Sequence, residues 1–161
     1  MPHALVPLVL GGTVAGGTSV YTDRRTSGTQ LEDEAIEIKA LSRNSEAIGS
    51  RGRVSVTSYN RMVLITGEVT SDADRALVEK TVSRVENVRS IVNELVVVKE
   101  LPSSHVGTDA IVTGKVKASL VDAKDLQAGA FKVVTERGTV YLMGRVTQRE
   151  ADRATQMTRT I

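Results

Sequence analysis

Apolar residues recur at intervals of three and four in four segments of the chain and at intervals of two in four others, so helices and strands are expected to alternate. Between Leu31 and Arg43, the residues Leu31, Ala35, Ile38 and Leu41/Ser42 recur at spacings of three and four among acidic side chains, which predicts an amphipathic helix. An irregular stretch with Gly49 and Gly52 follows. In RVSVTSY (53–59) and MVLITGEV (62–69) the alternating Val54/Val56 and Val63/Ile65, with Asn60-Arg61 between, predict a β-hairpin with Asn in the left-handed position. Ser71, with Asp74 three residues on, caps a second helix whose buried stripe is expected to be Ala76, Leu77, Val78, Val82 and Val85. The β-branched run IVNELVVV (91–98) closes the unit as a strand. The order is α-β-β-α-β.

The same order then begins again. Val112, Val116 and Leu120 mark a helix over 109–121, FKVVTERGTVYLMGRV a hairpin turning at Gly138, and Thr147 with Glu150 a capping box for a last helix. A shift of 77 lays Val56 on Val133, Val63 on Val140, Gly67 on Gly144, Val69 on Val146 and Thr70 on Thr147. A shift of 78 lays Lys39-Ala40 on Lys117-Ala118 and Asp74-Arg75-Ala76 on Asp152-Arg153-Ala154. This is an internal duplication. The expected organisation is an apolar, Gly-rich leader and polar linker over 1–30, a first module over 31–100, a linker at 101–108, and a second module over 109–161. Nothing after the last helix matches Val88 to Val98, so the second module is expected to lack its last strand and to present an open edge. In the leader, Pro7 and four glycines between Gly11 and Gly17 weaken any spanning helix, and neither a basic start nor a cleavage site marks a secretory signal. The Gly12 to Gly16 spacing fits a small-xxx-small contact but reads more simply as a flexible leader.

Composition narrows the chemistry. Of 161 residues 40% are hydrophobic but only 2% aromatic, so the cores must be aliphatic, and the base-stacking platform of a nucleic-acid binder is not expected. There is no cysteine, hence no disulfide, thiolate nucleophile or zinc–thiolate site. His3 and His105 stand alone in leader and linker. The carboxylate pairs Asp72/Asp74 and Glu150/Asp152 fall in first helical turns, where they complement free N–H groups, and Gly67 and Gly144 read as points of close packing or bulges. No catalysis, metal, cofactor or small-molecule substrate is expected.

Charge separates the copies. Residues 31–100 carry ten Lys/Arg against twelve Asp/Glu, a net of −2, while 107–161 carry nine against six, a net of +3. The basic half points to an anionic partner. With Val112, Val116 and Leu120 facing the sheet, Ile111 falls on a flank, Lys115 and Lys117 bracket the stripe, and Lys124 follows its end. An apolar tip among lysines is how an interfacial helix meets an anionic leaflet, though the same residues would also serve as one core position and a solvated face.

The pattern V-x-V-x…V-x-L-x-G-x-V-x-S/T, then a helix, then V-x-x-V-x-N-x-L at Val88, Ile91, Asn93 and Leu95, resembles the BON domain. Two such units after DRRTSGTQLEDEAIE (23–37) resemble the dual-BON outer-membrane lipoprotein family of Gram-negative bacteria, the YraP or DolP family, and residues 132–154 are the closest stretch. The resemblance implies an α+β fold of two tandem modules, each a small three-stranded mixed sheet packed by two helices. It implies a non-enzymatic protein, exported by a signal to the periplasm and anchored at the inner leaflet of the outer membrane. It further implies that the first helix of the second module, here Ile111, Lys115, Lys117 and Lys124, binds anionic phospholipid in support of envelope integrity and the division site. The family's acylated cysteine has no counterpart, although PLVLGGTVAGG resembles the segment just after its lipobox. The alternative is an interaction scaffold, in which the acidic first module or the open edge after Val146 pairs with an envelope or division-site protein.

Overall fold

The computed structural model describes residues 5–9, 24–103 and 106–161. In chain order its elements are β1 (Leu5–Val9), α1 (Ser27–Ile48), β2 (Gly52–Tyr59), β3 (Met62–Val69), α2 (Asp72–Ser83), β4 (Ser90–Asn93), β5 (Val96–Val97), α3 (Val106–Asp122), β6 (Phe131–Glu136), β7 (Thr139–Gly144) and α4 (Gln148–Arg159). They form two compact units, one of Thr26–Ser103 and the other of the chain through Arg25 together with the chain from Ser104 onward. The predictions on His3, His105 and the Gly12–Gly16 spacing lie outside the described residues.

In the first unit β2 and β3 pair antiparallel from Gly52↔Val69 to Tyr59↔Met62, and β4 and β5 run parallel to successive parts of β3. Both central residues of the hairpin turn, Asn60 (φ 52°) and Arg61 (φ 65°), are left-handed, the geometry that matches strand twist in a two-residue loop. Ile36, Ala40 and Ile48 of α1 and Val78 and Val82 of α2 close over Val63, Ile65 and Val69. Gly67 (φ +119°) has no alternative residue, because a Cβ there would lie 1.9 Å from the Arg53 carbonyl oxygen across the ladder.

Two expectations for this unit change. The first helix starts at Ser27, where Thr26 Oγ1 accepts from the Thr29 N–H, and runs to Ile48, well beyond the predicted segment. Its buried row is Asp33, Ile36, Ala40, Asn44 and Ile48, which leaves Leu31, Ile38 and Leu41 58–70% exposed. The roll of the helix is set by Asp33: its carboxylate accepts from the backbone N–H groups of Asn60 and Arg61 at 2.7 and 2.8 Å and from Ser58 Oγ at 2.7 Å. On α2, Ala76 and Leu77 likewise face solvent while Asp74, Val78 and Val82 turn inward.

The second unit repeats the arrangement with one difference in its wiring. β6 and β7 pair antiparallel, and Val112, Val116 and Leu120 of α3 pack with Ala154 of α4 on Val133, Val140 and Leu142. The edge expected to be open is filled. β1 pairs parallel with β7 from Leu5↔Val140 to Val9↔Gly144. Val140 is the repeat counterpart of Val63, which pairs with Ile91 of β4, so β1 takes the place that β4 holds in the first unit. As expected, no strand follows α4 among the described residues; what is corrected is the open edge, and with it the reading of 1–30 as only leader and linker, because the parallel partner is drawn from the far end of the chain. The helix register is corrected too. Buried positions and caps set an offset of 76, with Asp33 on Asp109, Ala40 on Val116, Ser71 on Thr147 and Asp74 on Glu150, so that Lys39 corresponds to Lys115 and not to Lys117.

Candidate functional site

The orientation of α3 is fixed from below. Asp109, buried in its first turn, accepts from the backbone N–H groups of Arg137 and Gly138 at 2.9 and 3.0 Å, as Asp33 does from the first hairpin turn. One turn on, Thr113 Oγ1 donates to Thr135 Oγ1 of β6 at 2.7 Å. These contacts and the Val112, Val116, Leu120 row hold one face of the helix to the sheet. At about 100° per residue, the opposite face is then Gly107, Ala110, Ile111, Gly114, Ala118 and Val121, all exposed. Ile111 is 61% exposed, and therefore is not a core position. Lys115 and Lys117 are exposed on the two flanks of this strip, and Lys124 is exposed just past its end. Ile111 thus lies within a strip of small apolar residues, with Lys115 and Lys117 at its opposite edges, about 160° apart around the axis, and Lys124 beyond its end.

A second cluster, missed in the sequence, ties the N-terminal segment to this unit. Arg24 donates through Nη1 and Nη2 to both carboxylate oxygens of Glu150 at 2.9 Å, through Nη2 and Nε to Gln127 Oε1 at 2.8 and 3.3 Å, and through Nη1 to the Arg145 carbonyl at 3.3 Å. Arg24 and Glu150 are both about nine-tenths buried. Hydrogen bonding from Arg24, against an opposing desolvation and with help from the Thr147 N–H, lowers the Glu150 carboxyl to about 2. The first unit has its own version, in which Arg51 Nε donates to Asp74 at 3.0 Å and holds that carboxyl below its ordinary range. The helix-start carboxylates Asp74 and Glu150 are therefore committed to capping and pairing. The cue for Arg24 was the Asp-Arg-Arg run at 23–25, which carries no spacing that names its partner. Among the described residues no cluster of His, Asp or Glu is placed to hold a metal ion, and no helix is long and apolar enough to cross a membrane.

The BON domain matches residues 35–99 and again 108–161. The chain belongs to the BON-domain family. Outer membrane lipoprotein DolP of Haemophilus influenzae is 35% identical over 147 residues, which cover 89% of this chain and 75% of that protein. The 21 kDa hemolysin of Actinobacillus pleuropneumoniae is 28% identical, with 86% and 73% covered, and Osmotically-inducible protein Y of Escherichia coli is 28% identical, with 91% and 75% covered. The likeness to DolP supports an envelope-associated BON-domain protein.

The two BON domains differ where their first helices face outward. In the first domain the strip on α1 holds Leu31, Ile38 and Leu41 but also Glu34, with Glu32 and Glu46 exposed nearby. The outer face of α3 in the second domain is small and apolar from Gly107 to Val121, and its acid, exposed Asp122, stands at the helix end, about 20° from Ile111 around the axis. In the first domain alone, the inner row of that helix includes an amide, Asn44, at the wall of a cavity between α1 and β2. The V-x-N-x-L motif is explained by packing: Asn93 Oδ1 accepts from the Leu95 N–H, its Nδ2 donates to the Arg75 carbonyl, and Arg75 donates back to the Asn93 and Leu95 carbonyls, locking α2 onto the parallel strands.

Proposed function

We propose that this protein is a non-catalytic component of the Gram-negative envelope whose second BON domain docks on anionic phospholipid through the outer face of α3. The supporting observation is the exposed strip of Gly107, Ala110, Ile111, Gly114, Ala118 and Val121 with Lys115 and Lys117 on its two flanks and Asp122 confined to its end. Small residues let the helix lie close to a leaflet, Ile111 adds buried apolar area, and each lysine near an anionic surface contributes about 1 kcal/mol, screened by salt. A position facing the inner leaflet of the outer membrane accords with the DolP relative, itself an outer membrane lipoprotein, and suits a role in envelope integrity.

Flotation with liposomes tests this reading. Recovery should require phosphatidylglycerol, fall with added salt, and drop by about tenfold or more when Lys115→Glu is combined with Lys117→Glu. Equal recovery on zwitterionic vesicles, or no loss in the double variant, overturns it.

A further inference from the structure

We propose that the outer face of α1 in one copy of this chain docks on the outer face of α3 in a second copy, so that copies associate head to tail and compete with a leaflet for the same helix. Leu31, Ile38 and Leu41 fall within about 80° of one another around α1, on the side away from Asp33, Ile36 and Ala40, and are 58–70% exposed. Large aliphatic residues gathered on one exposed face mark a docking surface. The charge around them says what it receives. Glu34 stands within the strip, with Glu32 and Glu46 beside it, all exposed. The two cations of the helix are turned to the loop after α2, Lys39 to Glu86 at 3.7 Å and Arg43 to the Arg84 carbonyl at 3.2 Å. An anionic leaflet is disfavoured at such a face, and the fitting occupant is apolar and cationic.

The chain carries such a face itself. Ile111 and Val121 of α3 are exposed, with Gly114 and Ala118 between them and Lys115 and Lys117 at the edges. Shape matches as well as charge. Leu31 to Leu41 and Ile111 to Val121 are equal steps along the chain, each about 15 Å of helix, and the bulky ridge of α1 meets a shallow groove over Gly114 and Ala118. With the two runs laid side by side, Glu34 comes within about one turn of both Lys115 and Lys117 whichever way the helices point. The two faces differ, so a copy joined through one keeps the other open, and association continues beyond a dimer. The pairing of copies stands on these two faces alone; only the competition rests on α3 also docking lipid.

Sedimentation velocity of the full chain, at concentrations up to about 0.5 mM, tests the pairing. The weight-average sedimentation coefficient should rise with concentration past the dimer value and fall with added salt. Ile38→Ser with Leu41→Ser, both on the exposed face, should weaken association by about tenfold or more and leave the melting temperature in place. The charge swap is the sharper arm. Glu34→Lys with Glu46→Lys makes α1 basic like α3, and Lys115→Glu with Lys117→Glu makes α3 acidic like α1, so each variant alone should stay monomeric while an equimolar mixture associates again. A wild-type chain that stays monomeric throughout overturns the proposal, as does a mixture no better than its parts, or association untouched by the α1 variants. Phosphatidylglycerol vesicles should dissolve the wild-type assemblies, and the Ile38→Ser, Leu41→Ser chain should float at least as well as wild type; assemblies that persist on the vesicles overturn the competition. Association without flotation leaves the pairing in place and removes only the lipid reading, whereas flotation of a chain that never associates overturns the pairing alone.

Discussion

Two buried aspartates decide how each BON domain is put together. Asp33 and Asp109 each reach from the first helix to the hairpin turn and accept two backbone N–H groups that left-handed turn geometry points away from the ladder. Replacing either by Ala leaves those donors without an acceptor, so Asp109→Ala should lower stability in urea by about 1–3 kcal/mol and loosen the roll of α3. Glu150 carries a pH dependence of definite sign. Its carboxyl is depressed from 4.5 to about 2 in the folded protein, so its contribution is fully present above the unfolded value and is lost as pH falls from there through about 2. Acid titration of stability should show that loss, and Glu150→Gln should flatten it. Of these roles only the cap at Glu150 was legible in the sequence. Asp33 read as one acid among several on a solvated face, and the partner of Glu150 lies at the opposite end of the chain.

At the scale of elements, the order α-β-β-α-β, both hairpins and both helix caps could be read from the sequence, because alternation, turn residues and Ser/Thr with an acid three places on are local signals. The roll of α1 could not. Its sequence carries two rows at helical spacing, and the more hydrophobic one, Leu31, Ile38 and Leu41, faces out because the inner row is anchored by a polar residue whose acceptor role depends on a turn some 27 residues away. The rule that apolar means buried fails where tertiary hydrogen bonds set the orientation. For α3 both criteria agree, and the placement of Ile111 can be tested against the core. Val116→Ala should cost about 2 kcal/mol in denaturant, whereas Ile111→Ser should change stability by less than about 0.5 kcal/mol yet reduce recovery with anionic liposomes.

In the whole molecule, the first domain is a continuous stretch and the second is not. β1 and Arg24 belong with α3 to α4, and the entire first domain lies between them in sequence. Deleting residues 1–22 should lower the melting temperature of the second domain and speed hydrogen exchange along β7, with the first domain unchanged. Retaining Arg24 in that variant separates the strand's contribution from that of the Glu150 pair. Sequence patterns report neighbours, and a parallel strand borrowed across the chain has none to report.

The pairing of Leu5 with Val140 also sets a timetable. The first domain can complete its contacts as soon as residues 26–103 are available, whereas the second must bring together segments from both ends and close a loop around a finished neighbour. Loop closure adds little to the equilibrium cost but delays the event, since long-range pairing is the slow part of folding. Refolding followed by pulsed hydrogen exchange should therefore protect β2 and β3 first and β7 last. During that interval the apolar strip of α3 sits on an unfinished sheet, so the proposed lipid-docking surface is the last part of the protein to mature.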